Sequence, residues 1–167
     1  MEKELYSERE KAIAFTGHRI IPLVRQEEVR ERLTAAVTLA CKLGMTRFYC
    51  GMALGFDMMA AEVVLSLKDK FPSIQLIAVV PFSGQSSRWA SSEQERYHRI
   101  LVKVDNVITL SENYFRGCLL RRNDFMLSHS CGVIAYYDGK PKGGTFYTVR
   151  KAERMKMDVV NIYSKRG

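Results

Sequence analysis

The chain has 167 residues, 47% of them hydrophobic, which is enough for one domain with a buried core. The net charge of +8 favours anionic ligands, but half of that excess lies in residues 150–167, where a solvated basic face of a last helix is favoured over a nucleic-acid site. No apolar run has the length of a membrane span and the acidic start at residues 1–4 does not resemble a secretory signal, so no membrane partner is expected and a cytoplasmic location is the default.

Apolar runs alternate with helical stripes along the chain, after a polar lead-in at residues 1–10. Strands are predicted at residues 11–16, 46–50, 74–80, 107–110, 132–137 and 159–163. Helices are predicted at residues 25–43, 55–70, 89–104, 115–130 and 145–155. The strands are apolar without period-two alternation, which indicates burial on both faces of a mostly parallel sheet. We therefore expect an α/β, Rossmann-like, doubly wound fold, with helices flanking the sheet and a single domain over residues 1–167.

Four of the predicted loops follow strands and have unusual compositions. They cover residues 16–19, 51–57, 81–89 and 136–145. In an open parallel sheet, ligands bind beyond the carboxyl ends of the strands. We therefore expect these loops to open on one edge of the sheet and to form one ligand site, and this convergence is a stronger argument than any single motif.

Two of these loops are glycine junctions that lead into helices. Gly51 and Gly55 stand between a strand and a helix, and Gly143 and Gly144 lead into the last helix at Thr145. A helix N-terminus presents free backbone N–H groups and the positive end of the helix dipole to an anion, and glycine lets a phosphate approach closely. The Thr145 hydroxyl could cap the helix or bond to an oxyanion. Together the two junctions predict phosphate binding, although each alone also fits an ordinary turn.

Two carboxylates lie in the second helix, and they are the catalytic candidates if the protein is an enzyme. Asp57 could cap the helix, accept bonds from ribose hydroxyls, or act as a general base. Glu62 lies roughly 140° further round the helix, so the two side chains cannot share a face. Capping or ribose binding is the preferred role for Asp57.

Further ligand-binding candidates lie in the first loop and in the fourth helix. The guanidinium of Arg19 matches phosphate oxygens, while His18 could either donate to the ligand or stabilise the loop. Arg122 and Asn123 could donate to a phosphate or a base, with a surface arginine as the alternative. Thr16 and Gly17 complete the first loop.

Two aromatic residues flank the serine- and glycine-rich loop at residues 81–89. Phe82 and Trp89 could stack on a purine, and a place in the core or an interface is an equal alternative for Trp89.

The second helix is apolar almost all round from Met58 to Leu67. A helix on a sheet usually keeps one face in water, so this one must be covered by another helix or by a second copy of the protein. We expect homo-oligomerisation through or near it.

The cysteines do not suggest a metal site. Cys41, Cys50, Cys118 and Cys131 form no Cys-x-x-Cys pair, and no histidine stands at metal-ligand spacing from any of them. We expect reduced, mostly buried thiols and no structural zinc.

Four short stretches together form a recognisable set. They are Phe15-Thr16-Gly17-His18-Arg19, Gly51-x-x-x-Gly55-x-Asp57, Arg122-Asn123 and Gly143-Gly144-Thr145. From about residue 11 to residue 163 the chain resembles the YpsA-like family of the SLOG superfamily, which also includes the LOG phosphoribohydrolases and the DNA-processing protein DprA. The resemblance implies a Rossmann-like fold and a pocket for a nucleotide or a derivative such as ADP-ribose, NAD or a nucleoside monophosphate.

The second glycine loop departs from the LOG pattern. LOG enzymes resemble Pro-Gly-Gly-x-Gly-Thr-x-x-Glu there, whereas Thr145 is followed by Phe146, Tyr147 and Thr148, and Glu153 comes later. This difference puts the glycosidic-bond chemistry of LOG in doubt.

Three functions follow from these observations, and the sequence leaves open whether the ligand is turned over. The first is a sensor or regulatory domain that binds a nucleotide-derived ligand, with no defined cofactor. The second is a nucleotide-processing enzyme, LOG-like or otherwise hydrolysing a glycosidic or phosphate bond. The third is single-stranded nucleic-acid binding as in DprA, which needs a basic, aromatic-lined groove. An NAD-dependent dehydrogenase is disfavoured because the first strand–helix turn lacks Gly-x-Gly-x-x-Gly.

Overall fold

A computed structural model describes residues 8–165, which form one α/β domain built on a six-stranded sheet. All strand pairs are parallel, and the order across the sheet is β4-β3-β2-β1-β5-β6. The strands are β1 (Ala12–Gly17), β2 (Arg47–Cys50), β3 (Gln75–Val80), β4 (Asn106–Thr109), β5 (Gly132–Tyr136) and β6 (Asp158–Asn161). The predicted fold class is confirmed, and the sheet is wholly parallel.

Five α-helices connect the strands. They are α1 (Gln26–Lys42), α2 (Phe56–Leu67), α3 (Ser91–Leu101), α4 (Cys118–Ser128) and α5 (Gly143–Arg154), with a short 3-10 helix at Leu23–Arg25. None of the helices within residues 8–165 combines the length and the apolar character needed to cross a membrane.

The sheet has a switch point between β1 and β5. The chain moves outward from β1 to β2, β3 and β4, and then crosses back to place β5 on the other side of β1. Ile13 of β1 is accordingly paired with Phe48 of β2 and with Gly132 of β5. The loops that follow β1 and β5 diverge at such a point and leave a crevice at the carboxyl edge of the sheet.

Each face of the sheet has its own core. Helices α1, α2 and α3 cover one face, where Phe15 lies between Phe48 and Phe56 with ring centroids 5.9 and 6.3 Å away. Helices α4 and α5 cover the other face, where Met126 and Tyr49 belong to one cluster of buried residues. Burial on both faces of the sheet explains why the strands show no alternation of apolar and polar residues.

The apolar helix α2 is covered within the chain. It packs against the sheet, against α1 and against α3, and Met58, Ala60 and Val64 are fully buried. The sequence allowed this helix to be covered either by another helix or by a second copy of the protein, and the structure shows neighbouring helices in that place. Homo-oligomerisation stays a prediction, without this helix as its support.

The predicted helix ends differ from the observed ones by up to three residues, and one predicted segment falls partly outside the described residues. The helix predicted at residues 115–130 starts only at Cys118, because Gly117 has a left-handed φ of +94° and breaks the helical path before it. Residues 1–7 of the polar lead-in lie outside the described part of the chain. Of the remainder, Arg9 donates from Nε to the carbonyl of Ser130 at 3.0 Å.

Candidate functional site

A cavity of about 470 Å³ opens at the carboxyl edge of the sheet, beside the switch point between β1 and β5. That size is within the range of small-molecule sites. Ten of the residues predicted from the sequence line it. They are Thr16, Gly17, His18, Arg19, Asp57, Arg122, Asn123, Gly143, Gly144 and Thr145.

The N-terminus of α5 forms one wall of the cavity. Lys142 is the N-cap residue and no side chain caps the helix, so the first N–H groups are left for another partner. Gly143 has a φ of +93°, and a Cβ atom built there would have nothing within 4 Å. This wall is therefore a helix dipole end with open space in front of it, which suits an anion.

Polar side chains without partners face the same space. The hydroxyls of Thr16 and Thr145 make no hydrogen bond to residues 8–165, although their side chains are only 6% and 8% exposed. At the rim, Arg19 and Lys142 are exposed and form no ion pair with the described residues. The cavity thus offers positive charge at its mouth and unused donors inside.

Arg122 is buried beneath the cavity, with 4% exposure, so the alternative of a surface arginine does not hold. Its Nη1 donates to the carbonyl of Gly51 at 2.5 Å and to Oε1 of Gln85 at 3.3 Å, and its Nε donates to Oδ1 of Asn123 at 2.8 Å. The bond to Oδ1 orients the amide of Asn123, so its Nδ2 donor faces Gly144, where a Cβ would lie 4.0 Å away. Arg122 therefore positions a donor that the cavity can use.

Gln85 supports the turn after β2 from below. Its Nε2 donates to the carbonyls of Gly51 and Met52, each at 3.3 Å. Met52 is fully buried with a φ of +58°, a left-handed conformation that costs about 1 kcal/mol for a non-glycine residue. Gln85 and Arg122 hold this strained turn in place, and the glycine at position 51 leaves room for the guanidinium, since a Cβ there would lie 2.7 Å from it and displace it.

Asp57 is buried under the cavity and does not cap its helix. Gly55 is the N-cap of α2 without a side-chain bond, and Oδ2 of Asp57 accepts instead from the N–H of Ala53 at 3.1 Å. Burial raises the pKa of Asp57 from 3.8 to about 6, while the charge of Arg122, the Ala53 N–H and the charge of Arg19 act in the opposite direction. Asp57 is thus a buried hydrogen-bond acceptor, and its ionisation depends on the nearby charges of Arg122 and Arg19.

This raised pKa predicts a pH dependence of stability. Because the folded state binds the Asp57 proton more tightly than the unfolded chain, the free energy of unfolding falls as pH rises through the interval between 3.8 and about 6. The full difference is about 3 kcal/mol. We expect denaturant unfolding to show that Asp57→Asn gains about 2 kcal/mol over wild type between pH 4 and pH 7, since the rest of the difference develops below pH 4. The exposed Asp69→Asn should follow the wild-type profile, and an equal gain in both variants would contradict the assignment.

The loops after β1 and β2 are locked together by close backbone packing. Phe56 donates its N–H to the carbonyl of His18 at 3.1 Å. A Cβ on Gly55 would lie 2.1 Å from the carbonyl oxygen of Arg19, and one on Gly17 would lie 2.4 Å from the ring of Phe56. These glycines therefore support the site by letting the two loops touch.

His18 joins the loop after β1 to the loop after β5. Its Nε2 lies 2.9 Å from the backbone nitrogen of Asp138. The Oδ1 atom of Asp138 is 3.2 Å from the same nitrogen. Of the two roles considered for His18, the geometry supplies the loop-stabilising one, and the ring also lines the cavity.

Glu62, the second carboxylate candidate, lies outside this cavity. It bonds to Arg96 of α3 and to Arg30 of α1, the latter at 3.4 Å. Burial alone would raise the pKa of Glu62, but the bonds and charges of Arg96 and Arg30 together lower it. Asp57 and Glu62 do not meet, as the helical spacing predicts.

The two aromatic candidates lie away from the main cavity. Trp89 packs edge-on against Tyr97, with ring centroids 5.2 Å apart, at the edge of the core. This is the core alternative considered for Trp89. Phe82 lines a neighbouring depression, where it meets Tyr114 edge-on at 5.5 Å.

Sequence reasoning missed the loop between β4 and α4, and it did not single out Lys142 within the selected loop at residues 136–145. Tyr114 and Gly117 of the missed loop line the cavity, together with Leu119 and Leu120 at the start of α4. The loop follows the carboxyl end of a strand like the other four, so the same rule applied to β4 would have found it. The helix predicted from residue 115 concealed it.

No metal centre is evident in the part of the chain that the structure covers. Residues 8–165 contain no group of three or more His, Cys, Asp or Glu side chains placed to hold an ion. The four cysteines, all within that range, are unpaired, with Cys50 and Cys118 buried and Cys41 and Cys131 half-buried.

The family model YpsA, described as the YspA SLOG family, matches residues 13–164. The chain belongs to this SLOG family. The resemblance drawn from four short motifs is therefore confirmed over nearly the whole sequence.

Relatives of this YpsA-family chain occur in bacilli. A UPF0398 protein of Shouchella clausii is 35% identical over 60% of the chain, and that alignment spans 55% of the relative's length. The SPbeta prophage-derived protein YoqJ of Bacillus subtilis is 30% identical over 70% of the chain and 75% of its own length. The protein YpsA of Bacillus subtilis is 27% identical over 66% of the chain and 63% of its own length.

Two solved structures share the fold. DNA processing protein A from Helicobacter pylori, described for its single-stranded DNA binding mode, superposes with a TM-score of 0.63 at 20% identity, over 93% of this chain and 66% of that one. The structural genomics target TM1055 superposes with a TM-score of 0.54 at 13% identity, over 89% and 72% of the two chains. These likenesses show the fold alone.

In this family member, Thr148 stands where the LOG pattern has glutamate. It is 1% exposed, and its Oγ1 donates to the carbonyl of Gly144 at 2.9 Å. A hydroxyl used in this way supplies neither an acid nor a base to the cavity.

Proposed function

We propose that the cavity binds a nucleotide or nucleotide-derived anion, with a phosphate group at the N-terminus of α5, as a sensor or regulatory site. The observation that carries the proposal is the uncapped helix start at Gly143, Gly144 and Thr145, which opens into a cavity with Arg19 and Lys142 at its rim. A phosphate there takes up the free N–H groups and the helix dipole.

The lining of the cavity combines hydrogen-bond donors with one kind of acceptor, and this supports a nucleotide over inorganic phosphate. The donors include Nδ2 of Asn123, whose amide is oriented by Arg122 and faces Gly144 of α5. Asp57, also in the lining, offers carboxylate oxygens, which accept bonds from sugar hydroxyls. A ligand that carries both a phosphate and hydroxyl groups matches both.

Binding without turnover is favoured over hydrolysis. Thr148 replaces the glutamate of the LOG pattern, and Glu62 is engaged by Arg96 and Arg30 outside the cavity. Among residues 8–165, Asp57 is the single carboxylate left in the lining as an acid or base. Incubation with ADP-ribose and nucleoside monophosphates should release neither base nor phosphate, whereas release abolished by Asp57→Asn would establish the enzyme instead.

Removing Arg19 should weaken binding without unfolding the protein. Its side chain makes no hydrogen bond or ion pair with the described residues, so Arg19→Ala should lose the charge-assisted contact to phosphate together with the positive charge near Asp57, roughly 10- to 100-fold in affinity. Calorimetric titration with AMP, ADP-ribose and NAD measures this loss. The matched control is Arg150→Ala on the exposed side of α5. Equal affinity of the two variants would contradict a phosphate at the rim of this cavity.

A second candidate is single-stranded nucleic-acid binding, favoured by the net charge of +8 together with the fold shared with DNA processing protein A. Such binding weakens steeply with salt because phosphate contacts release counterions. Tight, salt-sensitive binding of oligothymidylate, with no heat from any mononucleotide or dinucleotide, would replace the first proposal by this one.

A further inference from the structure

A second depression, of about 400 Å³, adjoins the main cavity and shares Tyr114 with it. The loops after β3 and β4 form it, and they are tied together by the N–H of Ser83, which donates to the carbonyl of Ser111 at 3.1 Å. The Ser111 hydroxyl also donates to the carbonyl of Asn113 at 2.8 Å, which holds the turn just before Tyr114. The depression is therefore preformed beside the phosphate wall.

Tyr114 presents an open aromatic face at the junction of the two spaces. It is 65% exposed, although tyrosine is a large side chain that usually buries its ring. Phe82 meets it edge-on, at an interplanar angle of 80°. This arrangement supports the tyrosine ring from its side and leaves a face free for stacking.

The charges in the depression suit a neutral group. Arg88 and Glu112 both line it, and neither forms an ion pair with residues 8–165. Their opposite charges offset each other, so the depression does not attract a second phosphate as the α5 wall does. Arg88 offers donors and Glu112 offers acceptors, which a base can use along its edges.

We propose that this depression binds the aromatic base of a ligand whose phosphate is held in the main cavity. The base is covalently joined to that phosphate through its sugar, and Tyr114 is the surface on which it stacks. The inference rests on the proposed phosphate site and adds the part of the ligand that determines specificity. The same chemistry is offered by an adenine-containing dinucleotide such as ADP-ribose and by a single nucleic-acid strand.

The test compares ligands with and without a base on the intact protein. Calorimetric titration with ribose 5-phosphate, ADP-ribose and a short oligothymidylate is carried out on wild type and on Tyr114→Ala. We expect Tyr114→Ala to weaken the base-containing ligand roughly 5- to 100-fold and, because Tyr114 also borders the main cavity, to weaken ribose 5-phosphate by a much smaller factor. Of ADP-ribose and the oligonucleotide, the one that responds identifies the source of the base.

Two further variants separate stacking from structural damage. Tyr114→Phe keeps the ring and should retain the wild-type affinity. Phe115→Ala removes the neighbouring ring, which lines neither space, and should also leave binding unchanged. A Tyr114→Ala variant that binds ribose 5-phosphate and the base-containing ligands as wild type does, or weakens them all equally, would overturn the base site while the phosphate site stands. If wild type binds none of the three ligands, the phosphate site fails, and the base site fails with it.

Discussion

Arg122→Met should lower the free energy of unfolding by about 3 kcal/mol or more at pH 7. The guanidinium is 4% exposed and donates to Gly51, Gln85 and Asn123. Methionine fills much of the volume but leaves the Asn123 oxygen without its donor and removes the charge that lowers the pKa of Asp57. Urea unfolding followed by circular dichroism measures the change.

The matched control for this variant is the same substitution one residue earlier. Arg121 is exposed, lies 5.8 Å over the ring of Phe115 and reaches the carbonyl of Leu110 at 3.5 Å. Arg121→Met should therefore cost less than about 1 kcal/mol. Similar losses in the two variants would show that the bonds of Arg122 do not hold the site together.

Gly55→Ala should cost about 3 kcal/mol or more, because two penalties act at one atom. The φ of +78° is unfavourable for alanine, and the added Cβ would lie 2.1 Å from the carbonyl oxygen of Arg19. That oxygen belongs to the backbone of the loop after β1, so it cannot move aside as a flexible side chain would. The variant should also bind ligand more weakly, since the shift displaces Arg19.

Gly44→Ala separates the two penalties. Gly44 has a φ of +97°, yet a Cβ there would have nothing within 4 Å. Only the backbone cost of about 1 kcal/mol is expected. Thermal unfolding of both variants gives the difference, which measures the steric overlap at Gly55. If the two substitutions cost the same, the loops after β1 and β2 are not packed as tightly as described.

The fold could be predicted because its signals are local. Apolar strands without alternation indicated a parallel sheet, and the rule that ligands bind at its carboxyl edge selected the loops at residues 16–19, 51–57 and 136–145, which do line the cavity. The fourth selected loop, at residues 81–89, contributes to the neighbouring depression instead. All four loops therefore lie at the predicted edge of the sheet, but only three of them reach the main cavity.

What the sequence did not reveal depends on contacts between distant elements. Arg121 and Arg122 look alike in the sequence, but only Arg122 faces the turn at Gly51, 71 residues away. Gln85 carries no motif, and its importance comes from the carbonyls of Gly51 and Met52. Periodicity indicates which face of a helix is apolar, but it does not identify the polar group that a buried charge will meet.

The position of phosphate in a crystal of the complex with ADP-ribose tests the central claim most directly. The proposed site predicts phosphate oxygens within hydrogen-bond distance of the backbone N–H groups of Gly144 and Thr145, with Arg19 close by. Phosphate bound elsewhere would contradict it, for example in the depression between α2 and α3 that Arg99 and Lys103 line. So would an empty cavity in crystals that hold the ligand at saturating concentration.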